Sequence, residues 1–272
     1  MNSKLILGTV QFGLKYGINN TIGKPKKDEV LSLLKVAYNS GIRLLDTAEA
    51  YGNAHQLIGN YHKEQNNFKF KIITKFPHQI KHNLIKSKVL EYLDLMNVNT
   101  LDVMMFHSFD SFQSNYNSLD TLNELKSDGL IKNIGVSVYT NAQLKRLLNE
   151  DLITVVQLPF NLLDNFNVRG DLINQLKIKG KTIHTRSAFL QGLFFKNTSD
   201  DISIVQALKP HLKTLNKITK KQGCSMEELA LSYCIKQNNI DNVIIGVDSI
   251  SQLNANIKAA AYEVNEEALK CI

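Results

Sequence analysis

Four side chains carry the chemistry this sequence offers: Asp46 and Tyr51 in DTAEAYG, Lys75 in IITKF and His107 in MMFHS. A phenol is a weak acid, with an ordinary pKa of about 10. An ammonium in contact with it favours the phenolate and lowers that value, and Lys75 can supply one. A lysine withdrawn from water needs a counter-charge to stay ionised, which Asp46 can supply. An imidazole beside the phenol can hydrogen-bond a substrate oxygen and fix its angle. Together the four make a proton donor poised over a carbonyl group, as general acid catalysis requires. Taken singly, each has an ordinary structural use: Asp46 capping a turn, Tyr51 packing, Lys75 reaching for solvent, His107 satisfied in the interior. Their joint placement carries the chemical reading.

That placement depends on the elements around them. Eight short apolar runs read as strands: 5–10, 42–48, 70–76, 101–108, 131–138, 153–160, 182–189 and 242–248. They are near-continuous in apolar character, as strands of a parallel sheet buried on both faces should be. Between them lie segments of helical period such as DEVLSLLKVAYNSG, HNLIKSKVLEYLDLMN and DLINQLKIKG. Gly41, Gly129 and Gly180 mark helix ends, and Asp28 and Thr140 stand near helix starts. The seventh connection is longer and holds two helical segments. Eight βα units without a Pro/Gly/Ser-rich linker predict a single (β/α)8 TIM barrel domain over residues 1–272. In that architecture the active site gathers at the C-terminal strand ends, which is where Asp46, Tyr51, Lys75 and His107 fall on three consecutive strands.

Composition narrows the partners. The net charge of +7 arises from 32 basic and 25 acidic residues, with only four arginines and no interleaving of aromatics among the lysines. This reads as a solvated lysine-rich surface rather than a nucleic-acid face. No leader-like segment opens the sequence, and no apolar run reaches spanning length. The three cysteines (Cys224, Cys234, Cys271) have neither metal nor disulfide-framework spacing. A cytoplasmic protein without a metal site is expected, with no membrane or nucleic-acid partner. Composition gives no expectation of oligomeric state.

The motifs, taken in order, resemble those of the aldo-keto reductases over nearly the whole chain, with the flavour of small bacterial members. GTVQFG (8–13) resembles the family's first-strand motif, LLDTAEAYG its Asp–Tyr signature, and IITKF and DVMMFHS the strands bearing its lysine and histidine. The resemblance implies that Tyr51 is the acid/base, that Lys75 and Asp46 tune it, and that His107 orients the carbonyl of a small-molecule aldehyde or ketone. It also implies a nicotinamide nucleotide across the barrel mouth, NADP(H) by family habit with NAD(H) as the alternative. Its binding residues by that resemblance are Gly8, Thr9, Ser137, Gln157, Arg186, Ser187, Leu190, Gly192, Gly246, Val247, Gln252 and Asn256. Two departures stand out: Val138 takes the place of a carboxamide-binding Asn, and Arg186 that of a ring-stacking Tyr. The positions at which NADP-demanding relatives carry basic residues are here Gly246, Val247 and Gln252, so NADPH is expected to hold only a modest advantage, about tenfold. Phe12, Tyr16, Tyr139, Phe160 and Phe194 are candidate pocket walls. Two rival functions remain open from the residues: a lyase forming a Schiff base on Lys75, and a nucleotide-binding regulator without turnover.

Overall fold

The computed structural model describes residues 4–18, 20, 23–197, 199–200 and 203–265; Cys271 lies outside them. Eight strands follow one another: β1 (Leu5–Gly8), β2 (Leu44–Asp46), β3 (Lys71–Lys75), β4 (Leu101–Phe106), β5 (Ile131–Ser137), β6 (Ile153–Pro159), β7 (Thr182–Arg186) and β8 (Asn242–Gly246). Each pairs in parallel with its neighbours in sequence, and β8 pairs back onto β1, which closes a (β/α)8 barrel. Parallel neighbours need a crossover between them, and helices such as Lys27–Asn39, Ala54–Glu64, Ile85–Met96 and Phe166–Ile178 supply it.

Alternation along the strands sorts the side chains into two environments. Ile6, Ile73, Val103, Met105, Val155 and Ile244 fill the barrel interior. Their neighbours Leu5, Leu7, Leu45, Ile72, Met104 and Val156 pack outward, into the larger core beneath the helices. The same period of two decides what the rim presents. Two positions beyond Ile73 stands Lys75; beyond Met105, His107; beyond Val155, Gln157; beyond Ile244, Gly246. Asp46 lies in register with Gly8 and Ile73, and Ser137 with Gln157.

Every strand ends one to three residues before its apolar run does. β1 stops at Gly8 because Val10–Gly13 coils into a single helical turn. Past other strand ends, Ala48, Val138, Phe160 and Val247 are still buried, and single hydrogen bonds to the next strand go on, from the Val138 amide to the Gln157 carbonyl at 2.8 Å and from the Phe160 amide to the Arg186 carbonyl at 3.1 Å. Helix termini follow the sequence more closely. Gly41, Gly129 and Gly180 take left-handed φ values of 91°, 74° and 75° just past helix ends. Thr140 forms a capping box with Gln143. Asp28 does not cap its helix. Glu29 does that work, accepting a hydrogen bond of 2.7 Å from the Lys26 amide, while Asp28 sits in the first turn. The long seventh connection contains a 3-10 segment (Leu190–Phe195) and the helices Ser203–Gln222 and Met226–Lys236. Among the described residues, no helix is long and apolar enough to cross a membrane.

Candidate active site

Asp46 and Lys75 meet at the barrel rim. The Lys75 ammonium donates to both Asp46 carboxylate oxygens at 2.6 and 2.7 Å and to the Thr47 carbonyl at 3.3 Å. All three of its N–H bonds are thereby occupied, and the side chain is almost wholly buried. Desolvation would strip its charge, but the attraction and hydrogen bonding of Asp46, with help from Tyr51, outweigh it and raise its pKa above the ordinary lysine value. Gln157 completes the cluster from β6, donating 2.8 Å to Asp46 Oδ2.

Tyr51 is brought over this pair by its loop. The Thr47 amide donates to the Ile73 carbonyl at 2.8 Å, continuing the β2–β3 pairing before the chain turns, and the Tyr51 amide closes a turn onto Ala48 at 3.0 Å. The turn rests on two glycines. A Cβ added to Gly13 would lie 1.7 Å from the Tyr51 carbonyl oxygen, and one added to Gly52 would lie 2.7 Å from the Gly13 oxygen. Gly52 also has φ of 58°, a conformation costly to any residue with a side chain. Gly13 of GTVQFG and Gly52 of AYG therefore let the two backbones touch beside Tyr51. Beyond the turn, His55 ties the helix Ala54–Glu64 to β3 through a 2.9 Å bond with Thr74. We expect Gly13→Ala to displace the Tyr51 loop and lower turnover by about a hundredfold, the cost of misplacing a reacting group by about 1 Å. Steady-state kcat alongside thermal melting checks this; a well-folded variant with undiminished kcat would show that the glycine contact does not set the phenol's position.

The Lys75 ammonium is 5.5 Å from the Tyr51 ring centroid, and the His107 ring stands edge-on to the phenol with centroids 5.9 Å apart. His78 stacks on His107 at 4.3 Å. Burial, reinforced by the charges of Lys75 and His78, pushes His107 down to about 4, so it is a neutral imidazole at physiological pH. Its Nδ1 is buried without a partner. The phenol departs from the sequence expectation. Burial raises the Tyr51 pKa by more than Lys75 lowers it, with Asp46 adding to the rise, so the hydroxyl keeps its proton well past neutrality. Proximity of an ammonium does not make a phenolate where water is excluded as well.

Beside these groups opens a cleft of about 350 Å³. Its walls include Asp46 and Tyr51, the β1 end (Gly8, Thr9), Gln157, Arg186, Ser187, Gly192, Gly246, Gln252 and Asn256.

The sequence profile described as "Aldo/keto reductase family" matches residues 4–272. The chain belongs to that family. It is an oxidoreductase, and members of the family use nicotinamide cofactors. Among curated relatives it is 25% identical over 282 residues to the chloroplastic pyridoxal reductase of Arabidopsis thaliana, covering 89% of this chain and 75% of that protein. It is also 25% identical over 295 residues to the probable aldo-keto reductase 1 of Glycine max, covering 98% and 84%. The fold superposes on the holo form of an aldo-keto reductase from Bacillus halodurans with a TM-score of 0.81, at 19% identity over 98% of this chain and 90% of that one. A glycerol dehydrogenase from Gluconobacter oxydans gives 0.77, at 19% identity over 99% and 90%.

For an aldo-keto reductase, the placement of the expected residues is uneven. Ser137 and Val247 are buried behind the cleft rather than lining it, and Leu190 stays off its wall, with a left-handed φ of 48°. Lys75 and His107 are not among the cleft's lining residues, although both lie close to the Tyr51 ring. Arg186 lies 4.2 Å over the Tyr139 ring and donates to the Val138 carbonyl at 3.3 Å, so its planar face is already covered on one side. Of the five aromatics expected as walls, only Tyr16 lines this cleft. Phe12, Phe160 and Phe194 belong to the core, and Tyr139 is exposed beneath Arg186. Residues the motifs did not single out include Gln11, Asn20, Phe189, Gln191, Phe195 and Glu227. Gln11 had a signal, being the polar residue inside GTVQFG. Glu227 had none, because a helix of the outer ring brings it in.

The cleft suits an extended, polar ligand. A Cβ at Gly246 would strike Gln11 Nε2 at 2.5 Å, and Gln11 Oε1 and Asp248 Oδ1 are buried without partners. Gln191 and Gly192 follow Leu190 in left-handed backbone, with φ of 56° and 94°, and this turn forms part of the cleft wall at Gln191 and Gly192. These features fit a nicotinamide dinucleotide.

Proposed function

We propose that this aldo-keto reductase reduces an aldehyde or ketone, with Tyr51 as the proton donor. The observation that carries the reading is the buried Asp46–Lys75 pair, 2.6 Å between charged atoms, set beneath a Tyr51 ring that itself faces the cleft. A reduced nicotinamide nucleotide, when bound, supplies hydride to the carbonyl carbon. Gly8, Thr9, Gln157, Arg186, Ser187, Gly192, Gly246, Gln252 and Asn256 would hold it. Tyr51 gives its proton to the carbonyl oxygen as negative charge develops there. The Lys75 ammonium stabilises the phenolate left behind, and Asp46 keeps that ammonium charged. His107, neutral, can donate one hydrogen bond to the same oxygen and hold it in line with the phenol. Alcohol oxidation reverses these roles.

The Schiff-base alternative is disfavoured by the same pair. An amine attacks a carbonyl only when neutral, and Lys75 is held as an ammonium with all three protons engaged. The regulator alternative predicts binding without turnover. Purified protein is expected to perturb NAD(P)H fluorescence and then oxidise the nucleotide when a panel of simple aldehydes is added. Nucleotide binding without turnover across the panel would support the regulator, and substrate trapped covalently by borohydride would support the lyase.

A further inference from the structure

The charges along the cleft are arranged unevenly. Its one lining cation among the described residues is Arg186, at the end of β7 inside the barrel mouth and already engaged with Tyr139 and Val138. The cleft leaves the mouth over Gly246 and runs out to the helical ring. There its walls are Asp248, just after β8, then Gln252 and Asn256 of the helix Ile250–Ala260, and Glu227 in the first turn of Met226–Lys236. This outer end holds two carboxylates and no lysine or arginine among the lining residues. Lys258, on the same helix, is exposed and not part of the wall.

Two backbone donors at this end are committed. The Gln252 amide caps onto Ser249 Oγ at 3.2 Å, and its side-chain oxygen accepts from the Asp248 amide at 3.2 Å. The Asp248 carboxylate, by contrast, has an oxygen buried without a partner among the described residues. Burial raises its pKa, as expected of a carboxylate short of donors.

We infer that the outer end of the cleft selects a nucleotide whose adenosine ribose bears free hydroxyls, so that NAD(H) is bound in preference to NADP(H), with Asp248 and Glu227 as the specificity determinants. The inference rests on the cleft holding a nicotinamide dinucleotide. With the reactive ring beside Tyr51, a molecule that extends along the cleft past Gly246 brings its adenosine half to the acidic end. A vicinal diol offers the two donors that an unpaired carboxylate oxygen lacks. A 2′-phosphate, with about −1.5 to −2 charges near neutrality, offers acceptors only and meets like charge. The modest NADPH advantage expected from the motif positions reverses, because that expectation counted missing cations and not the two anions that folding brings to the same place.

Direct titration tests this independently of catalysis. Protein fluorescence, or calorimetry, is followed with NADH, NADPH, ADP-ribose and 2′-phospho-ADP-ribose at one fixed, low salt concentration. Wild type is expected to bind NADH and ADP-ribose at least about tenfold more tightly than their 2′-phosphorylated forms. Asp248→Asn and Glu227→Gln, both close in shape to the native residues, should each shrink that ratio, chiefly by tightening the phosphorylated ligands. A thermal melt confirms that each variant is folded. Tighter binding of the phosphorylated ligands by wild type, or a ratio unmoved in both variants, would overturn the inference while leaving the nucleotide reading intact. Absence of binding by all four ligands would overturn both.

Discussion

Tyr51→Phe is expected to lower carbonyl reduction by about 10²–10⁴-fold, the range removed with a general acid, while nucleotide affinity stays nearly unchanged. The ring keeps its volume and its edge-on approach to His107, so the variant should fold as wild type does. The pH dependence sharpens the test. Reduction needs the protonated phenol, which exists below its pKa, and burial raises that pKa. Wild-type reduction should therefore hold through neutrality and fall only on the alkaline side, whereas alcohol oxidation, which needs the phenolate, should climb with pH over the same range. Both limbs should vanish in Tyr51→Phe. Turnover close to wild type in this variant, measured by the loss of nucleotide absorbance, would sink the mechanism.

Lys75→Met is expected to remove most of the activity and to destabilise the fold by about 3–5 kcal/mol, the cost of leaving one member of a buried ion pair alone. Methionine replaces much of the aliphatic stem, so the loss belongs to the charge. Asp46 then keeps only Gln157 and pushes the Tyr51 pKa up without opposition. Residual activity should show its alkaline limb displaced to higher pH. A limb where wild type has it would mean that Lys75 does not act through Tyr51. Stability has its own sign. Because the folded-state pKa of Lys75 is raised, the pair's contribution is present below the unfolded lysine value and is lost as pH rises through the folded one. Chemical denaturation below that window should show the full difference between wild type and Lys75→Met, and alkaline denaturation a smaller one. The double variant Asp46→Asn/Lys75→Met removes both charges and should recover part of the stability but none of the activity, which separates holding the fold from tuning the phenol.

The barrel, and the gathering of Asp46, Tyr51, Lys75 and His107 at its rim, were legible in the sequence because both depend on short-range regularities. Eight apolar runs at regular spacing with helical segments between them admit few other folds, and a period of two along each strand puts Asp46, Lys75 and His107 on the inner face as the rim is reached. The strand ends were less legible. Ala48, Val138, Phe160 and Val247 remain buried past the regular strands, so apolar character overstates strand length. All the expected aromatic walls but Tyr16 lie off the cleft for a related reason: a phenylalanine near a rim is apolar whether it faces the cleft or, like Phe12 and Phe160, the core.

Tertiary structure alone decided what depends on distance across the chain. Gly13 and Gly52 are 39 residues apart, and only the folded barrel shows that a Cβ on either would collide with the other's backbone or its neighbour's. Gln157 reaches Asp46 across 111 residues of sequence, a contact its local motif does not announce. The protonation of Tyr51 was also set there, since the effect of Lys75 could be read from identity but the opposing cost of desolvation could not. The acidic end of the cleft is the last case. Asp248 and Glu227 come from different βα connections, and a carboxylate's influence on a ligand depends on which groups share its space. Sequence determined which ionisable groups the site would contain; packing determined which are buried, and burial is what fixes their charge.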